Sequence, residues 1–97
     1  MPDSDFLAAY GRFRREVNRY LEGVIGTQEC RRCPHCGEGY LVPANITATA
    51  EMVIFCEECD TIWPEGEPIN EMSGRAFSLY QNTQGKVGLD FSELTVL

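Results

Sequence analysis

Apolar side chains recur every three or four residues through the first quarter of the chain. Phe6, Tyr10, Phe13, Val17, Tyr20 and Val24 are spaced 4, 3, 4, 3 and 4 apart, which is the stripe of an amphipathic helix. The spacing predicts a helix over residues 4–25. Asp3 or Ser4 suits its start as an acceptor for the orphan amides, and Gly26 suits its end because glycine enters the left-handed region without strain. Arg12, Arg15 and Arg19 fall on one face, almost opposite the stripe. Further on, the period becomes two. Tyr40-Leu41-Val42 and the alternating Ile46, Ala48, Ala50, Met52 and Ile54 predict two strands joined around Pro43-Ala44-Asn45. Thr61-Ile62-Trp63 predicts a third, ended by Pro64-Glu65-Gly66-Glu67-Pro68. Beyond residue 69 the signals mix. Ile69, Met72, Ala76, Leu79 and Tyr80 fit a short helix, although Ser73-Gly74 weakens it and Phe77 and Leu79 alternate as in a strand. Asn82-Thr83-Gln84-Gly85 reads as a turn. Asp90-Phe91-Ser92-Glu93 has the spacing of a capping box for a final helical turn, and Leu94-Thr95-Val96 suits a strand equally well.

The candidate chemistry lies between these elements. All five cysteines of this 97-residue chain fall within residues 30–59. Cys33-Pro34-His35-Cys36 and Cys56-Glu57-Glu58-Cys59 are two C-x2-C pairs separated by 19 residues, a spacing at which two cysteine turns close on one tetrahedral metal. Two residues between thiolates let a tight turn aim both sulfurs at one point, with Gly37 supplying a positive φ and Pro34 stiffening the turn. Cys30 also forms a C-x2-C pair with Cys33, but Pro34 and Gly37 belong to the turn of Cys33 and Cys36. Cys30 is then a spare thiol; Arg31 and Arg32 beside it can lower a thiol pKa, but it reads as a bystander. His35 sits between two ligands and is expected to be exposed rather than ligating. Four thiolates imply one structural zinc; the same set binds iron in rubredoxins, which distribute glycine and proline differently around their knuckles.

Together these elements predict a small α+β fold. An N-terminal amphipathic helix (residues 1–27) packs on a zinc-ribbon hairpin or three-stranded sheet (residues 30–69), followed by a short mixed C-terminal extension (residues 70–97), all in one domain. The motif Cys-Pro-x-Cys-Gly, a Leu/Val strand, then Cys-x-x-Cys and an apolar strand with Trp resembles the small bacterial zinc-ribbon proteins over residues 33–69. The resemblance implies that Cys33, Cys36, Cys56 and Cys59 are the zinc ligands; it specifies a fold element better than an activity. In size, acidity and ribbon style the chain also resembles immunity proteins of polymorphic toxin systems.

Charge narrows the function. The net charge is −7; residues 33–97 hold ten acidic side chains against Arg75 and Lys86, a balance of −8. Such a surface repels polyanions, so nucleic acid is an unfavoured partner and a basic protein a favoured one. The expected partner surface comprises Glu57, Glu58, Asp60, Glu65, Glu67 and Glu71, with Glu57 and Glu58 directed outward from their knuckle. An acidic inhibitor or immunity protein covering a cationic nuclease-like toxin fits this best; a nucleic-acid or transcription-associated ribbon using Arg12, Arg15, Arg19, Arg31 and Arg32 is one alternative, and a rubredoxin-like iron electron carrier another. Neither an open metal position nor a nucleophile with its base is apparent, so no catalysis is expected. The charged first 20 residues lack a signal h-region, and the longest run free of Asp, Glu, Lys and Arg is 12 residues, 39–50, against about 20 apolar residues for a spanning helix. The expected compartment is the cytoplasm.

Overall fold

The computed structural model describes the backbone of residues 2–97 and the side chains of residues 7–97. Helix α1 spans Pro2–Val24, so it starts before Asp3 and Ser4, which lie in its first turn rather than ahead of it. Proline is suited to the first helical position, where its missing N–H would have had no helical partner anyway. At the other end Gly26 takes φ +87°, as expected. The Thr27 amide and hydroxyl both donate to the Val24 carbonyl, at 2.9 and 2.6 Å, satisfying one orphan acceptor of the last turn.

A five-stranded antiparallel sheet follows, with strands β1 (Leu41–Ile46), β2 (Glu51–Cys56), β3 (Thr61–Pro64), β4 (Arg75–Ala76) and β5 (Leu94–Val96) in the order β4-β3-β2-β1-β5. The hairpin turn is not at residues 43–45. Those residues pair with Ile54, Val53 and Met52 inside β1, and the chain reverses over residues 47–50, with Ala50 at φ +60° and its amide donating to the Ile46 carbonyl at 2.7 Å. Pro43 is tolerated in the strand for a geometric reason. Its carbonyl accepts from the Leu97 amide on the β5 side, and a strand residue's nitrogen points the same way as its carbonyl. The absent donor therefore costs the β1–β2 ladder nothing.

The C-terminal third departs most from expectation. Instead of a short helix it forms β4 and a single 3₁₀ turn, Phe77–Leu79. Gly74, at φ +84°, draws the backbone so close to Trp63 that a β-carbon there would lie 2.7 Å from the indole; this contact holds the segment extended. The turn at residues 82–85 is present, closed by the Asn82 amide on the Lys86 carbonyl at 3.0 Å. Both readings of the final element hold: a 3₁₀ turn, Phe91–Glu93, whose Glu93 carboxylate accepts from the Asp90 amide at 2.8 Å, leads directly into β5. The expected three-stranded ribbon thus gains one strand at each edge.

The sheet has two differently covered faces. On one, Val17, Leu21 and Val24 of α1 meet Val42, Ala44, Ile46, Val53, Phe55, Ile62 and Leu94, and residues 77–89 cross beside the helix to add Tyr80, Phe77 and Leu89. The predicted stripe is nearly right. Leu21 joins it, Tyr20 is only half-buried, and Tyr10 is 44% exposed with its ring edge-on to Phe91 at 5.3 Å; Phe6 lies outside the described side chains. The opposite face holds a smaller buried group, Cys33, Leu41, Cys56 and Trp63, flanked by Ile54 and Ile69.

Candidate metal centre

Two turns bring four sulfurs together beside Trp63. Cys33 and Cys36 precede β1, Cys56 ends β2, and Cys59 immediately precedes the approach to β3. Their Sγ atoms all lie within 4.8 Å of one another, with Cys33–Cys59 at 3.6 Å and Cys36–Cys56 at 3.7 Å. A tetrahedral ion with metal–sulfur bonds of about 2.3 Å sets its sulfurs about 3.8 Å apart, so the group fits a single metal. Cys30 is not among the four. It is half-buried against the helix-side core, leaving Cys33 and Cys36 as the first pair.

The turns are built alike. In each, the residue after the second cysteine has a positive φ: Gly37 at +72° and Asp60 at +58°. Backbone amides converge on the sulfurs at 3.4 Å, from His35 to Cys33, Gly39 to Cys36, and Glu58 and Cys59 to Cys56. Such donors disperse thiolate charge. The Cys36 thiol is accordingly lowered to about 7 by the amides of Gly39 and Glu38, whereas burial pushes Cys56 and Cys33 up. A cation at the centre reverses the burial effect, since a coordinating thiol is deprotonated outright. Gly39 carries a requirement that the sequence reading did not identify. A β-carbon there would lie 2.6 Å from the Cys56 sulfur and 2.8 Å from the Glu58 side chain, so only glycine lets one turn close over the other.

Around the sulfurs runs a polar clamp. Thr61 Oγ1 lies 3.2 Å from Cys59 Sγ. His35 is exposed, as expected, yet engaged: its Nε2 lies 2.6 Å from the Ser73 carbonyl and its ring meets Trp63 edge-on at 5.5 Å. The Trp63 indole donates to Ser73 Oγ at 2.9 Å. The loop over residues 65–74 is thereby fastened to the first cysteine turn.

Two of the six expected partner-facing acids are not free. Glu57 does not point outward: its side chain is 7% exposed, its carboxylate accepts from Arg14 at 3.1 Å and from the Tyr40 amide at 3.4 Å, and Arg14 also donates to its carbonyl at 3.3 Å. Glu67 binds Arg75 at 2.6 Å and the Gly74 amide at 2.8 Å. Burial alone would raise the Glu67 carboxyl, but those two donors outweigh it and hold it below the usual carboxylate range. Glu58, Asp60, Glu65 and Glu71 remain exposed, and among the described residues none of these forms an ion pair. The stripe of Arg12, Arg15 and Arg19 is likewise exposed and outside the ion pairs. Arg14, which belonged to no predicted feature, ties the helix to the second cysteine turn; its charge and its offset from the stripe were the only hints. Arg32 lies over its own Tyr40 ring at 5.0 Å.

No helix among the described residues is long and apolar enough to cross a membrane. No protein-family model, no curated protein and no solved structure matches the chain.

Proposed function

We propose that this is a non-catalytic zinc-ribbon protein that acts by binding a basic protein, as an acidic inhibitor of a cationic nuclease-like toxin. The reading of the metal rests on the four-sulfur group: thiolate ligands alone favour zinc or iron, and four of them complete a tetrahedral shell without an open position for water. Zinc there holds the ribbon closed and performs no chemistry. The partner reading rests on one observation, that Glu58, Asp60, Glu65 and Glu71 stay exposed and unpaired on a chain of net charge −7. A surface of that kind steers a cationic protein toward it and competes with the polyanion such a protein would otherwise bind.

The test is co-expression with the product of the adjoining reading frame. The expected result is rescue of growth that the neighbour alone abolishes, and a complex whose association slows as salt rises, because exposed charges are screened beyond about 8 Å at physiological ionic strength. Glu65→Lys with Glu71→Lys should slow association further. Retention of oligonucleotides at physiological salt, lost on changing Arg12, Arg15 and Arg19 to Ala, would replace this reading with a nucleic-acid-binding ribbon.

A further inference from the structure

Between α1 and the crossing segment lies a groove of about 770 Å³, within the range of ligand-sized sites. Its apolar lining is mostly aromatic. Phe13 lies 5.5 Å from Phe55 and 5.4 Å from Phe91, and Phe55 lies 6.0 Å from Phe77; Phe13, Phe77 and Phe91 are only half-buried. Glu58, Asp60 and Asp90 also line it, all exposed and outside the ion pairs. Among the described residues one cation lines it, Arg14, and that guanidinium is already held by Glu57. The groove therefore offers aromatic rings beside three uncompensated carboxylates.

We infer, resting on the basic-partner reading above, that this groove receives an arginine side chain of the partner protein. A guanidinium is planar and weakly hydrated, stacks on aromatic rings and forks onto carboxylates; a lysine ammonium is compact and strongly hydrated and fits such a lining less well. Phosphate is repelled by the same carboxylates, and a purely apolar side chain would leave them without a counter-charge. Arg14, itself a lining residue, already pairs one groove carboxylate from within the chain, reaching Glu57 at 3.1 Å. Charges that line a groove and become desolvated govern dissociation, whereas outlying charges govern association. Asp60 and Asp90 thus set how long the partner stays; Glu65 and Glu71 set how fast it arrives.

The experiment titrates the zinc-loaded full chain, at low salt, with a capped glycine peptide carrying two arginines, followed by backbone amide shifts. Lysine and leucine versions of the peptide run in parallel. The expected result is movement of the Phe77, Leu89 and Phe91 amides, with the arginine peptide binding at least about fivefold tighter than the lysine one. Asp60→Asn with Asp90→Asn preserves shape, because asparagine also accepts a left-handed backbone and a capping position. That pair of changes should weaken binding at least about fivefold, since it removes two of the three carboxylate charges. Ser78→Arg, which plugs the groove and leaves the carboxylates in place, should abolish the shifts while zinc content and the amide spectrum are retained. Leucine binding as well as arginine, or shifts confined to residues around Glu65 and Glu71, overturns the groove assignment. So does absence of binding by the peptide. Each of these leaves the basic-partner reading to its own test, the salt-sensitive complex.

Discussion

The two faces of the sheet are held together by different physics. Among the described residues the helix side buries eleven, all aliphatic or aromatic, contributed by α1, four strands and the crossing segment. The cysteine side buries four, of which two are metal-ligand candidates. Apolar burial of about 25 cal/mol per Å² suffices on the first face. On the second, Leu41 and Trp63 offer too little apolar area to hold two turns and a ten-residue loop. On the proposed metal reading, one face of the sheet closes by solvent exclusion and the other by coordination, and the Arg14–Glu57 pair joins them.

If that division is right, damage to each face should read out differently. The largest effect is expected from Cys56→Ser, which removes a buried ligand candidate at 0% exposure. Structural zinc contributes an apparent energy on the order of 10 kcal/mol or more, so on the proposed reading the parent carries one equivalent of zinc and this variant should bind none and melt far below it. Metal analysis and a thermal scan, with and without chelator, check it. Phe55→Ala strikes the other face, at a ring 1% exposed. It should lower unfolding free energy by about 3–5 kcal/mol in denaturant while the folded protein still carries one zinc. Loss of zinc from folded Phe55→Ala would mean that the faces are one cooperative unit at the level of the site itself.

Smaller perturbations refine the boundary. Gly39→Ala forces a β-carbon toward the Cys56 sulfur and should weaken zinc about 10–100-fold, as changes just outside a ligand shell do; chelator competition measures it. Arg14→Ala strands Glu57 at 7% exposure and should cost about 1–3 kcal/mol. Glu57→Gln in the Arg14→Ala background should restore part of that, which a double-mutant cycle reads directly. The smallest effect concerns the loop clamp. Because Glu67 has a lowered folded pKa, its contribution is full above the ordinary carboxylate range and is lost as pH falls through the lowered value. The stability gap between parent and Glu67→Gln should be about 1 kcal/mol or less at pH 7 and close progressively under acid. Comparing the two proteins at each pH cancels any common effect of zinc release.

Local signals made much of this legible. The 4-3-4 spacing found α1 because a helix repeats at 3.6 residues, and the doubled C-x2-C pairs found the four sulfurs because each turn is encoded within four residues. Residues 43–45 misled because proline and asparagine usually mark turns; that Pro43 has no β1–β2 ladder bond to lose depends on which side of it β2 lies, which no local pattern states. The helix over residues 69–80 failed for a similar reason. Gly74 answers to Trp63, ten or so residues away, and tertiary contact overrode a weak period. The outward direction expected of Glu57 assumed that residues between ligands face solvent; Arg14 approaches from 43 positions away and takes the carboxylate in. Gly39 could have been suspected from the run Gly37-Glu38-Gly39, although the sulfur it accommodates lies on another strand.

The sheet's margins carry a last consequence. Its outer strands are β4, two residues long, and β5, three residues long. Edges that short give another polypeptide little unpaired backbone to zip onto, which guards against self-templated aggregation. They also withhold the commonest sequence-tolerant way of capturing an extended peptide, the adding of a strand. The basic partner proposed above would then be selected by side-chain shape and charge, and its identity should be sensitive to single residues.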